Sequence, residues 1–123
     1  MLAEKQLKAF VPTLNPVKAK AFYKDILGLK LLSEDGYALE FDAHGTPLRI
    51  TTVKELKPQE FTILGWIVDD ISSTVHTLNK QGIICEKYAF FPQDEFGIWT
   101  SPGGSKVAWF KDPDGNVLSV SER

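Results

Sequence analysis

A chain of 123 residues that is 43% hydrophobic and 24% charged has the composition of one ordinary globular domain around a single core. Its 14 basic and 16 acidic residues leave a formal charge of −2, which gives no footprint for nucleic acid or for an acidic membrane surface; a small organic partner is expected instead. Lys, Asp or Glu interrupts every apolar run before the roughly 20 residues a bilayer span needs, the only cysteine is Cys85, and no cationic and apolar leader opens the chain, so a soluble cytoplasmic protein is the expectation.

In chain order, LKAFVPTL alternates as a strand does, and NPVKAKAFYKDILG places Val17, Ala21, Ile26 and Leu27 near helical spacing. Asn15 suits the N-cap, Pro16 the first turn and Gly28 the end. LKLLSE, YALEFDA and PLRITTV follow as short strands, separated by DG and HGTP, which are turn chemistry. The order then repeats. FTILGWIV reads as a strand, Asp70 or Ser72 can cap ISSTVHTLNKQG, and IICEKYAF, GIWTS, KVAWFK and VLSVS read as strands, with PDGN turning the chain between the last two.

The expectation is therefore an α+β fold of two βαβββ modules, about 6–56 and 61–123, joined by a connector at 57–60 and making one domain over 1–123. Such modules put their helices outside and curve a mixed sheet around a cleft. Strand parity then sends Ala9, Val11 and Thr13 toward the helix and Lys8, Phe10 and Pro12 to the other face. In ILGWIV, Leu64, Trp66 and Val68 belong to the core, while Ile63, Gly65 and Ile67 face away from it. Phe22, Phe61 and Trp66 are the first aromatic candidates for the core.

AFYKDILGLKLL, WIVDDISSTVHTLNKQG and VAWFKDPDGNVLSVSE together resemble the vicinal oxygen chelate superfamily, the glyoxalase, bleomycin-resistance and dioxygenase group. The resemblance implies paired βαβββ modules, a concave site and a homodimer. Its metal enzymes present His, Glu, His and Glu from four strands to a divalent ion. Carried onto this chain, those four positions fall on Lys8, Arg49, Ile63 and Ser119. Two are cations without a free lone pair, one has no donor atom, and a lone hydroxyl binds metal weakly. The two histidines, His44 in a turn and His76 within an amphipathic helix, do not replace them.

The resemblance and the residues thus point to a protein without a metal or other cofactor that holds a small molecule. Lys8 and Arg49 would select an anionic group, with Phe10, Trp99 and Trp109 as stacking walls and Ile63 and Ser119 completing the lining. For each cation the competing expectation is a local ion pair, for instance with Glu40, or a head group reaching water. A glyoxalase-like lyase or isomerase, or a dioxygenase-type enzyme with a non-standard site using Glu40, Lys8 or Arg49, is the alternative. A third possibility is a dimeric regulatory domain whose cleft is filled by its own side chains. No residue pattern names a catalytic group. FFPQDEFGIWTSPGG reads as a loop bordering the pocket.

Overall fold

The computed structural model describes residues 1–123, which divide into two compact units, Met1–Lys57 and Pro58–Arg123. In the first unit β1 (Ala9–Thr13) leads to α1, which begins as Pro16–Lys20 and continues over Ala21–Ile26 with wider turns. β2 (Lys30–Glu34), β3 (Ala38–Ala43) and β4 (Thr46–Thr52) follow, and the sheet order is β1-β4-β3-β2, with β1 parallel to β4 and the other pairs antiparallel. The second unit has β5 (Thr62–Ile67), α2 (Ile71–Lys80), β6 (Trp99–Thr100), β7 (Lys106–Lys111) and β8 (Val117–Glu122), in the order β5-β8-β7-β6 and with the same senses. Both sheets therefore repeat one plan: the first strand joins the last across a helical crossover.

Local chemistry sets the element ends. Asn15 caps α1 by accepting from the Lys18 N–H at 3.1 Å, Pro16 stands in the first turn, and Asp70 caps α2 by accepting from the Ser73 N–H at 3.1 Å. Each such cap contributes about 1 kcal/mol. The β7–β8 turn is held by Asp112, whose carboxylate accepts from the N–H groups of Asp114 and Asn116 and from the Asn116 side-chain amide at 2.9 Å. Pro12 is compatible with β1 because that strand lies at a sheet edge, where a missing N–H interrupts no ladder on its outer side.

The core of each unit lies between its helix and one sheet face. Phe22 and Tyr23 of α1 pack over Val11, Leu39, Phe41, Leu48 and Ile50, with the Tyr23 and Phe41 rings 6.2 Å apart. Ile71, Val75 and Leu78 of α2 cover Ala108, Phe110, Leu118 and Val120. The parity expected of β1 holds, since Val11 and Thr13 are buried while Phe10 is 60% exposed. In β5, Leu64 and Trp66 are half-buried, as is Val68 just beyond it, while Gly65 and Ile67 are exposed.

Three expectations are corrected. The buried stripe of α1 runs through Ala19, Phe22 and Tyr23, leaving Val17 78% exposed; both frames have helical spacing, and the larger aromatic pair wins the core. Phe61 is 63% exposed, because it precedes β5 rather than standing in its ladder. IICEKYAF forms no strand. The edge place beside β7 goes to Trp99–Thr100 in GIWTS, while backbone groups of residues 86–97 are satisfied by the Gln93 side chain, which accepts from Tyr88 N–H and donates to the carbonyls of Glu86 and Gly97.

Candidate functional site

With one face of each sheet covered by its helix, the alternate residues stand on the opposite, open face. On the first sheet, Phe10, Arg49 and Glu40 form one row across β1, β4 and β3, each in register with the next. On the second, Gly65, Ser119 and Trp109 form the row across β5, β8 and β7, and Trp99 of β6 pairs with Val107 one row further along. The two rows hold matching places in the repeated plan. In both units the candidate on the last strand, Arg49 or Ser119, pairs with the residue two after the candidate on the first, Lys8 or Ile63. Ile63 itself falls at an irregularity between Thr62 and Leu64, where the β5–β8 register shifts.

The two cations differ. Lys8 Nζ lies 2.9 Å from Glu40 Oε1 and 5.8 Å from the centre of the Phe10 ring, so its charge is met by a carboxylate on its own face. Glu40 Oε1 is buried and receives no hydrogen bond of good geometry, which makes the Lys8 ion pair its main compensation. The Arg49 side chain forms no ion pair or hydrogen bond; its field contributes the smallest part of the lowering of the Asp35 carboxyl, which the N–H groups of Tyr37 and Ala38 dominate. The local ion pair with Glu40 therefore engages Lys8 and leaves Arg49, a half-buried residue, with no closer charge partner than the field of Asp35, in register with the exposed Phe10.

The second face is aromatic. Phe91 stacks on Trp109 with ring centres 5.1 Å apart and planes 2° from parallel, and lies 4.8 Å from Trp99; Tyr88 meets Trp109 edge-on at 5.6 Å. Burial raises the Tyr88 hydroxyl above its ordinary pKa, and the Glu86 carboxylate adds to the shift. Trp99 and Trp109 are expected walls and Phe91 belongs to the loop expected to border the pocket, but its stacking on Trp109 depends on an irregular segment without periodicity. Gly65 leaves space over Ser119: a Cβ there would stand 2.6 Å from Ser119 Oγ.

These positions do not fit a divalent metal. Lys8, Arg49, Ile63 and Ser119 supply at most one weak neutral oxygen, and no group of three or more His, Cys, Asp or Glu side chains gathers anywhere in the chain to hold an ion. Cys85 is buried, and burial pushes its thiol up to about 11, so it is no thiolate nucleophile at neutral pH.

Two mixed four-stranded sheets, each built on the order first-last-third-second and backed by one helix, define a duplicated βαβββ protein of the α+β class. The chain belongs to the Glyoxalase/Bleomycin resistance protein/Dioxygenase superfamily, whose family model matches residues 7–120. No curated protein sequence matches it. Among solved structures it is similar to a glyoxalase family protein from Enterococcus faecalis, at 24% identity and TM-score 0.76 over 99% of this chain and 100% of that one. A lactoylglutathione lyase from Agrobacterium tumefaciens matches at 17% identity and TM-score 0.76 over 99% and 96%. An integron cassette protein from the mobile metagenome of the Halifax Harbour sewage outfall matches at 19% and 0.74 over 98% and 99%. At these identities the likeness is one of fold. No helix is long and apolar enough to cross a membrane.

Proposed function

We propose that this chain is a small-molecule-binding member of the superfamily that works without a metal, and that the open face of its first sheet selects an aromatic ligand carrying a carboxylate or similar anion. The observation that carries this reading is the Arg49 guanidinium, engaged in no salt bridge and in register with the exposed Phe10. A planar fork beside a ring offers bidentate pairing to a carboxylate and apolar contact to the body of the same ligand. Lys8, held by Glu40, contributes less direct charge and fixes the edge of the face. Ile63, Ser119, Trp99 and Trp109 are the contacts proposed for the second sheet. A homodimer and a cytoplasmic location belong to the same reading; sedimentation of the purified chain tests the first.

Calorimetric titration with 2-naphthoate and with its uncharged amide, 2-naphthamide, tests the anion preference. Arg49→Ala should weaken 2-naphthoate about tenfold or more and leave 2-naphthamide within about twofold. Equal weakening of both probes, or saturation by neither, overturns the reading. Binding that persists unchanged in EDTA supports the metal-free part; affinity that depends on added zinc, nickel, iron or manganese overturns it.

The enzymatic alternative has one specific observation behind it. Glu40, partly buried and directly across β4 from Phe10's strand, adjoins Arg49 in register, so a general base stands beside a site for the anion its action would create. Turnover of a bound oxo-acid that is lost in Glu40→Gln, while affinity is kept, would favour it.

A further inference from the structure

We propose that Phe91 occupies, from within the chain, the place that a flat ring of a ligand takes against Trp109 and Trp99, and that such a ligand enters by displacing it. This rests on the reading of the second sheet's open face as a ligand surface, and is independent of charge selection at Arg49.

The core of the second unit lies on the α2 side of the sheet and is complete without Phe91, being built from Ile71, Val75, Leu78, Ala108, Phe110, Leu118 and Val120. Phe91 instead covers the other side. Its ring lies parallel to Trp109 and leans on Trp99, whose own centres are 6.2 Å apart, so three rings close a triangle on a face where strand alternation alone would leave two indoles open to water. The ring is delivered by the irregular segment 83–98 rather than by a strand or helix.

The architecture of that segment makes the ring movable while its base stays put. Glu86 N–H donates to the Trp109 carbonyl at 2.8 Å and anchors one end beside β7. Gln93 ties the base shut, accepting from Tyr88 N–H at 2.6 Å and donating to Glu86 and Gly97 carbonyls at 2.9 and 2.7 Å. Asp94 then fixes the return, accepting from the N–H groups of Phe96 and Ile98. Between Tyr88 and Gln93 runs a short arc with Phe90 and Phe91 at its tip, and Phe90 is 75% exposed. Its backbone bonds, Phe91 N–H to the Tyr88 carbonyl and Gln93 N–H to the Phe91 carbonyl, lie within the arc, so a change of the Phe91 rotamer breaks none of them. The face of Trp109, flanked by Trp99 at a 33° tilt, prefers a planar, apolar guest, and the guest must repay the stacking that Phe91 forgoes.

Calorimetry with 2-naphthamide as the probe, on the full chain, tests this. Phe91→Ala should bind it about three- to tenfold tighter than the unsubstituted chain, since no resident ring has to leave, and Trp109→Ala should lose binding. NMR of the unsubstituted chain supplies a second readout that does not depend on how the arc settles in Phe91→Ala: ring-current shifts of the Phe91 protons should relax on saturation with the probe. Equal or weaker binding in Phe91→Ala together with unmoved Phe91 resonances overturns the proposal. If 2-naphthamide binds neither protein, the resident-ring idea and the ligand role of the second face fall together, while binding of 2-naphthoate and its loss in Arg49→Ala still decide the first face.

Discussion

Gly65 and Ser119 stand opposite each other on β5 and β8, and the missing side chain of the one makes room for the hydroxyl of the other. A Cβ on Gly65 would come to 2.6 Å from Ser119 Oγ, against 3.4 Å from the Ser119 carbonyl oxygen and 3.9 Å from Ser119 Cβ, so the severe conflict is with the hydroxyl. Gly65→Ala should destabilise the chain by about 1 kcal/mol where Ser119 cannot turn away, whereas in a Ser119→Ala background the same change should be neutral or stabilising by about 0.5–1 kcal/mol. Urea midpoints of the four proteins in this cycle check it. A cost that is equal in both backgrounds would place the conflict elsewhere.

The Lys8–Glu40 pair is partly shielded, with side chains 44% and 27% exposed, and should be worth about 0.5–1 kcal/mol in a double-mutant cycle with Lys8→Met and Glu40→Gln. Lys8→Met alone should cost more than the double change, because it leaves the buried Glu40 Oε1 without its cation. Raising the salt concentration should shrink the coupling only modestly. Chemical denaturation at two ionic strengths measures both effects.

His44 has a φ of 52° and is followed by Gly45 at 91°, a pair of left-handed residues joining β3 to β4. Asn and Gly tolerate that conformation better than His, so His44→Asn or His44→Gly should raise stability by a few tenths to about 1 kcal/mol. A thermal midpoint that falls for both would show that the imidazole contributes something the turn geometry does not explain.

Burial raises the Cys85 thiol from 9.0 to about 11, the Glu86 and Asp94 carboxylates adding to the effect. A folded-state pKa above the unfolded one contributes stability that is complete below pH 9 and disappears as pH climbs toward 11. Stability should therefore decline across that window, and the decline should be shallower in Cys85→Ala, whose loss at neutral pH is a separate packing effect. Alkylation of Cys85 at pH 8 should be slow in the folded chain and fast in urea. Rapid labelling of the folded protein would contradict the buried placement.

Strand alternation, caps and turn residues act over a few neighbours, and so the duplicated element order, the ends of both helices and the inward parity of β1 could be read from letters alone. The chemistry of Lys8, Arg49, Ile63 and Ser119 was equally plain, since no fold can give a lysine, an arginine or an isoleucine the lone pairs of a metal ligand. Other features depend on which groups meet across long separations. Lys8 finds Glu40 32 positions away while Arg49, the direct cross-strand partner of Glu40, makes no salt bridge, because side-chain reach in the folded sheet rather than residue type decides which cation a carboxylate meets. Likewise IICEKYAF has strand composition, yet only its Glu86 N–H reaches a β7 carbonyl, that of Trp109, while the Gln93 side chain takes the Tyr88 N–H and the Glu86 carbonyl and Phe91 lies on Trp109, so a side-chain amide and a ring from the same loop replace most of a ladder. Local preference is written residue by residue; choice among distant partners is settled only when the chain has folded and each polar group and ring has taken the neighbour nearest to hand.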